Sequence, residues 1–384
     1  MIGGESSPCF VGALSEHPNT RVAVAEVVGQ ALDCVGRAPG AALLFVSPHH
    51  LRHLGEITSV VHDILEPRAL VGASTDTVIA GSREAASGPA IGLWAASGLT
   101  GEPVRLRTLP EGEVATLTGM PPARLDGTLI LLGDPFTFAA DQAVHRLAET
   151  APDLAVVGGM LSGAPGPGAG RLIHDENLFD DGAVGLLFGT DVSVTTVVSQ
   201  GCRPIGEPFI VTRGHGNVIE ELGGRPALER LEAMIAESDD DDRALAAKGL
   251  HAGIVIDESK AEFTQGDFLI RGVLGARTAA GAVVIGDRVE VGDTVQFHVR
   301  DAASATADLT GMLSDRRPGS GLLFTCNGRG ERLFGAPDHD ASLVQDTIGH
   351  VPVAGMACSG EIGPVGDRNF LHGFTASLAL FDRS

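Results

Sequence analysis

The sequence predicts an α/β protein of two related lobes, each made of repeated β-α-β-loop-β units that form mixed sheets covered by helices. Three observations predict it. A strand-like apolar run, a helical stripe and a second apolar run ending in glycine recur three times along the chain. The spacing of the paired runs is nearly constant: Leu44 to Val71 and Ile130 to Val157 are each 27 residues apart, and Leu323 to Val353 is 30. Each copy then continues through a loop of small residues into one further strand that bears a glycine.

The elements follow in order. A first helix reads from an N-cap at Asn19 or Thr20 and carries Val24, Val27, Val28, Ala31, Leu32 and Val35 on one face. The first copy has strands at 42–46 and 70–74, a helix face of Leu51, Leu54, Ile57, Val61 and Leu65 between them, and a returning strand at 91–94. The second has strands at 128–132 and 155–159 flanking Val144, Leu147 and Ala148, then a return at 184–187. Residues 192–199 read as the antiparallel hairpin partner of that return. Pro226 opens a helix with Leu228, Leu231, Met234 and Ile235, and the acidic run 237–242 after it reads as a solvated loop. Residues 250–300 are strand-rich and form at most a degenerate fourth copy. The third copy has strands at 321–325 and 351–355, a helix capped by Asp340 with Leu343, Val344 and Ile348, and a return at 372–375. Strand-helix-strand connections of this length predict right-handed parallel crossovers. The boundary between lobes falls near residue 225, giving domains 1–224 and 225–384.

Composition narrows the function. A chain of 384 residues with 43% hydrophobic and 20% charged residues supports two cores and excludes general disorder. No apolar run is long enough for membrane insertion. The net charge of −22, with only two lysines, Lys248 and Lys260, and no basic patch, argues against nucleic acid as a partner. The five cysteines are Cys9, Cys34, Cys202, Cys326 and Cys358. They are odd in number, widely spaced and free of any Cys-x-x-Cys pair, which suits a reducing cytoplasm. Residues 1–10 lack the charged and apolar regions of a signal peptide.

Familiar catalytic motifs are absent. No glycine precedes a lysine, so no Walker A loop exists, and there is neither a Gly-x-Ser-x-Gly elbow nor a His-Glu-x-x-His helix. His49, His50 and His53 lack a cysteine or carboxylate to complete a tetrahedral set. No metal and no cofactor are therefore expected.

The informative positions are the loops after the repeated strands, because ligands of open α/β sheets sit beyond the carboxyl ends of parallel strands. Three segments occupy equivalent places: Gly72, Ala73, Ser74, Thr75 and Asp76; Gly158, Gly159, Met160, Leu161, Ser162 and Gly163; and Gly355, Met356, Ala357, Cys358, Ser359, Gly360 and Glu361. Such loops bring amides and hydroxyls close to a ligand. Cys326, Asn327, Gly328, Arg329 and Gly330 add a thiol, an amide and a guanidinium able to hold a carboxylate at two points. Cys326 and Cys358 fall at the ends of neighbouring strands of one repeat.

These segments, with Ser199, Gln200, Gly201, Cys202, Arg203, Pro204, Ile205 and Gly206, resemble the FIST proteins over nearly the whole chain. The resemblance implies an N-terminal and a C-terminal FIST domain forming a sensory module for amino acids or their derivatives. No kinase, cyclase, methyl-accepting or F-box segment is recognisable, so a sensor of this kind acts through a protein partner. The expectation is a cytoplasmic signal-transduction protein that binds an amino acid or related carboxylate metabolite. Its candidate ligand-binding residues are Ser74, Thr75, Asp76, Gly158, Gly159, Ser162, Cys326, Asn327, Arg329, Met356, Ser359 and Glu361. Arg329 is assigned to the ligand carboxylate, and Glu361 or Asp76 to its ammonium. The alternatives are an enzyme with Cys326 or Cys358 as nucleophile, and a protein-interaction scaffold.

Overall fold

The computed structural model describes residues 7–111, 114–121 and 126–383. Residues 1–6, within the segment read as carrying no signal peptide, lie outside the described residues. The chain forms two compact units, one of Met1–Val198, Thr310–Leu371 and Thr375–Ser384, the other of Ser199–Leu309 and His372–Phe374. The boundary read near residue 225 lies inside the second.

β1 (Cys9–Ser15) leads into α1 (Thr20–Val35), which Asn19 caps by accepting from the Arg21 and Val22 N–H groups at 3.0 and 3.3 Å. β2 (Ala41–Val46) is buried on both faces, with Ala41, Leu43 and Phe45 in one core and Ala42, Leu44 and Val46 in another. That double burial is why it reads as a continuous apolar run. α2 (Leu54–Leu65) buries Leu54, Ile57, Val61 and Leu65 and returns the chain to β3 (Leu70–Ser74), which is parallel to β2. A short hairpin, β4 (Val78–Ala80) and β5 (Arg83–Ala85), precedes β6 (Ile91–Ser97), which pairs antiparallel with β2.

The second repeat has the same plan. β7 (Glu102–Glu111) and β8 (Val114–Thr118) precede β9 (Gly127–Gly133), α3 (Ala140–Thr150) and β10 (Leu154–Met160), with β9 and β10 parallel. The hairpin of β11 (Leu172–His174) and β12 (Asn177–Phe179) and the returning β13 (Ala183–Phe188) follow. β14 (Val194–Gln200) does not pair with β13 as expected, because β7 and β9 already occupy both edges of β13. It opens the third sheet instead.

The second unit carries β15 (Cys202–His215), β16 (Val218–Leu222), β17 (Arg225–Pro226), α4 (Ala227–Glu237), α5 (Asp240–Lys248), β18 (Leu250–Val255), β19 (Phe268–Arg277), β20 (Ala282–Ile285) and β21 (Thr294–Arg300). Its described strand pairs are all antiparallel, so it is not a fourth copy of the repeat. The acidic run is not a loop: Asp239 caps α5 through the Asp242 N–H at 2.8 Å, and Asp240, Asp241 and Asp242 fill its first turn. Negative charge is favourable at that end of a helix.

After α6 (Ala302–Leu313) the third repeat comprises β22 (Ser320–Cys326), α7 (Gly330–Phe334), α8 (His339–Ile348), β23 (Val353–Cys358), the hairpin of β24 (Glu361–Val365) and β25 (Arg368–His372), and β26 (Thr375–Phe381). The returning strand starts at Thr375, later than the 372–375 reading, and α8 has Asp338 rather than Asp340 at its N-cap position.

The repeats exchange hairpins in a cycle. The sheets run β1-β6-β2-β3-β11-β12, then β25-β24-β10-β9-β13-β7-β8, and β14-β26-β22-β23-β4-β5. Each therefore ends in the hairpin of another repeat. Their inner faces share one core, in which Trp94 and Phe188 lie 4.9 and 5.3 Å from Phe381, and Phe45 lies 6.5 Å from Phe324, between ring centroids. The fold is thus a mixed α/β architecture with parallel and antiparallel pairs. Among the described residues, no helix is long and apolar enough to cross a membrane.

Three glycines read as belonging to loops lie inside strands β3, β10 and β23 and are packing requirements. Gly72, Gly158 and Gly355 hold equivalent register positions opposite Leu44, Leu131 and Leu323, and a Cβ at any of them would overlap that leucine's carbonyl oxygen. Gly355→Ala is expected to destabilise the protein by about 1–3 kcal/mol. Gly29→Ala, inside α1 with open space at the Cβ position, is expected to stabilise it by about 0.5–1 kcal/mol. Urea denaturation of the two variants checks the opposite signs.

Candidate functional site

β22 and β23 run parallel with Cys326 opposite Cys358 at their carboxyl ends. From Cys326 the chain turns sharply: the Arg329 N–H donates to the Cys326 carbonyl at 2.8 Å and the Asn327 N–H to the Cys358 carbonyl at 2.8 Å. The turn delivers Arg329 to a fully buried place, where Nε and Nη2 donate to the two Asp340 carboxylate oxygens at 2.6 and 2.9 Å. Nη1 is buried without a partner.

The wall opposite comes from the first repeat. β4 adds to β23 with Ala80 opposite Ala354, so its hairpin lies against the start of α8. The Glu84 N–H donates to Asp338 at 2.7 Å, and Glu84 Oε1 accepts from the Ala341 N–H at 2.9 Å. Between hairpin and turn lies a cavity of about 510 Å³ lined by Asp76, Thr77, Glu84, Ala86, Ser87, Thr325, Cys326, Asn327, Gly328, Arg329, Gly330, Glu331, Arg332, Pro337, Asp338 and Ala357. That size suits a small metabolite.

Of the residues selected from sequence, Asp76, Cys326, Asn327 and Arg329 meet at this cavity. The others take structural places. Thr75 and Ser162 are buried with their hydroxyl oxygens 3.0 Å apart, at 2.9 and 2.8 Å from the Ala357 carbonyl oxygen. Ser162 also accepts from the Asp76 N–H at 3.2 Å, which orients Asp76 toward the cavity. Ser74 accepts from the Arg171 N–H, Ser359 is exposed and donates to the Leu161 carbonyl, and Met356 belongs to the central core. Gly158 packs against Leu131, and Gly159 against Cys358.

Glu361 lies behind the cavity wall. It is fully buried, and its Oε2 accepts from the Thr375 hydroxyl and N–H at 2.8 and 3.1 Å. Oε1 has no nitrogen or oxygen partner, and the Cys326 thiol is within hydrogen-bonding reach of the carboxyl. Burial pushes the Glu361 carboxyl up to about 8, against the opposing effects of Thr375, Arg329 and Cys326. It is therefore mostly protonated at neutral pH. Burial also raises Asp340, but the Arg329 charge and hydrogen bonds outweigh it and hold that carboxylate at about 2. Burial, with Glu361 and Cys326 nearby, pushes the Cys358 thiol well up.

Sequence reasoning missed Glu84, Glu331, Arg332 and Asp338 on the wall, and assigned Asp340 to a cap. Three acids within ten residues, Glu331, Asp338 and Asp340, were a signal for that segment; nothing in the sequence connects Glu84 to it.

Two measurements test this electrostatic arrangement. The raised Glu361 value means its contribution to stability is complete below about pH 4.5 and is lost as pH rises through about 8. The melting temperature of the wild type should thus fall relative to Glu361→Gln across that window; parallel profiles would contradict it. Arg329→Ala should cost about 3–5 kcal/mol by stranding Asp340, whereas the joint replacement Arg329→Met with Asp340→Leu should cost less. Denaturant titration checks the order.

Comparison with known proteins agrees with the segments quoted from sequence. The FIST N domain matches residues 40–225 and the FIST C domain residues 227–364. An uncharacterised protein of Mycobacterium tuberculosis strain H37Rv is 45% identical over 380 residues, spanning 96% of this chain and 98% of its own length. An uncharacterised protein of Mycobacterium bovis is 44% identical over 375 residues, spanning 95% and 96%. The cavity draws its walls from both matched segments. The chain belongs to the FIST family, whose paired domains are linked to small-ligand sensing and signal transduction.

Proposed function

We propose that this protein is a cytoplasmic sensor that binds an amino acid or a closely related zwitterionic metabolite in the cavity between the β4–β5 hairpin and the turn after β22. The observation that carries the reading is the charge layout of that cavity, where both signs line a space of about 510 Å³. Asp76 and Glu331 suit an ammonium group. Arg332, exposed on the cavity wall, suits a carboxylate. Asn327, Thr77 and Ser87 supply neutral polar contacts.

Arg329 enters this reading differently from the sequence expectation. Asp340 already engages two of its nitrogens, so it contributes the remaining Nη1 hydrogens and not a free fork. Glu361, buried and mostly protonated, is unsuited to pairing an ammonium. Thr75 and Ser162 act by holding Asp76 in place. In this reading the signal passes to a protein partner.

The test is the melting temperature of the purified protein against individual amino acids, short peptides and carboxylate metabolites at millimolar concentration. A ligand at about 100 times its dissociation constant stabilises by about 2.7 kcal/mol. Zwitterionic amino acids are expected to raise the melting temperature selectively. Asp76→Asn and Arg332→Ala should each abolish the shift while leaving the unliganded melting temperature within a few degrees of the parent, since Arg332 is exposed and an asparagine at 76 keeps the oxygen that accepts from Ser162. No shift from any compound would turn the interpretation to a protein-interaction scaffold.

A further inference from the structure

We infer that Cys326 is the nucleophile of an acyl-transfer site in this cavity, acting on a small polar ester or thioester with Glu361 as its proton partner. The inference rests on the cavity being a ligand site and adds a reaction to it. Cys326 lies on the cavity wall with 7% of its surface exposed. Its thiol is within hydrogen-bonding reach of the Glu361 carboxyl, whose Oε1 has no nitrogen or oxygen partner. The Gly328 N–H points at Sγ from 3.5 Å, an interaction that favours the thiolate. Arg329 belongs to the same wall and is 0% exposed, and its one unpaired nitrogen, Nη1, is held in direction by the two-point bond to Asp340. Arg329 and Cys326 act on each other electrostatically, and a fixed donor with an unsatisfied hydrogen-bonding capacity is what a developing oxyanion requires.

The chemistry balances without a cofactor. The thiol proton moves to the ionised Glu361 carboxylate as Sγ attacks the acyl carbon. The carbon–sulfur bond forms, the bond to the leaving oxygen or sulfur breaks, and the leaving group takes a proton from water in the cavity. The hydroxide so formed cleaves the thioester, releasing the carboxylic acid, and Glu361 returns its proton to the Cys326 thiolate. Cys358 takes no part: it is registered beside Cys326 but is absent from the cavity wall, and its thiol is held protonated. Arg329 and Cys326 act on Glu361, which in turn raises Cys358; Asp340 is bound to Arg329, and the Thr375 hydroxyl faces Glu361 from β26.

The full-length protein is treated with p-nitrophenyl acetate; nitrophenolate release is followed and the acetylated thiols are mapped by peptide mass. Cys9 and Cys34, both exposed, serve as reference thiols in the same molecule. Cys326 is expected to be acetylated more than about tenfold faster than either, with a rate that climbs toward pH 8. Glu361→Gln should slow it about 10²-fold, and Cys358→Ser should leave it unchanged. The inference is overturned if Cys326 in the unaltered chain reacts no faster than Cys9, or if Glu361→Gln keeps the parent rate. The amino-acid melting series separates the two readings. A shift with an unreactive Cys326 keeps the sensor and rejects the nucleophile; a reactive Cys326 with no shift keeps the nucleophile and rejects the amino-acid ligand.

Discussion

The exchange of hairpins between repeats is the constraint on which the rest of the first unit depends. A β-α-β-loop-β unit ends its sheet in a strand with unpaired amide and carbonyl groups, an edge that costs free energy when buried and invites aggregation when exposed. Here β4 satisfies β23, β11 satisfies β3 and β24 satisfies β10. No sheet is complete by itself, so the three repeats form cooperatively or not at all. The same exchange brings Asp76 and Glu84 to within reach of residues some 250 positions later, and it makes a cavity from segments that the family boundaries assign to different domains.

Within that frame the electrostatics follow from burial. A guanidinium removed from water is tolerable only with a matched counter-charge, and Asp340 supplies one with both oxygens. Burial opposes the Arg329 charge, yet Asp340, Glu361 and Cys326 together hold its affinity for the proton above the ordinary value. Glu361 sits close by without an ion-pair partner of its own and keeps its proton through most of the neutral range. The result is a rigid, nearly neutral wall behind a cavity whose accessible rim carries separated charges of both signs. Rim charges tune a ligand's orientation; the wall fixes the shape they act on.

Much of this was legible in the sequence. Near-identical spacing exposed the repeats, because a buried parallel strand must be apolar on both faces and its crossover helix has a fixed minimum length. The register neighbours Cys326 and Cys358 followed directly from that alignment. What could not be read was pairing between repeats: β4–β5 and β24–β25 carry no mark of which sheet they complete, since backbone hydrogen bonds are indifferent to sequence. The loop hydroxyls of Thr75 and Ser162 looked ligand-like for the same reason that they serve as mutual partners, a capacity to bond in small spaces. Arg329 and Asp340, eleven positions apart, gave no pattern that distinguishes a ligand-binding guanidinium from a buried structural one.

The central claim is that the hairpin of the first repeat and the turn of the third form one ligand site. Hydrogen exchange of the protein, with and without a millimolar mixture of the common amino acids, tests it directly. The account predicts that protection rises together in residues 76–87 and 326–338 and stays unchanged in the second compact unit. Protection confined to one of these segments, or to neither, would contradict it.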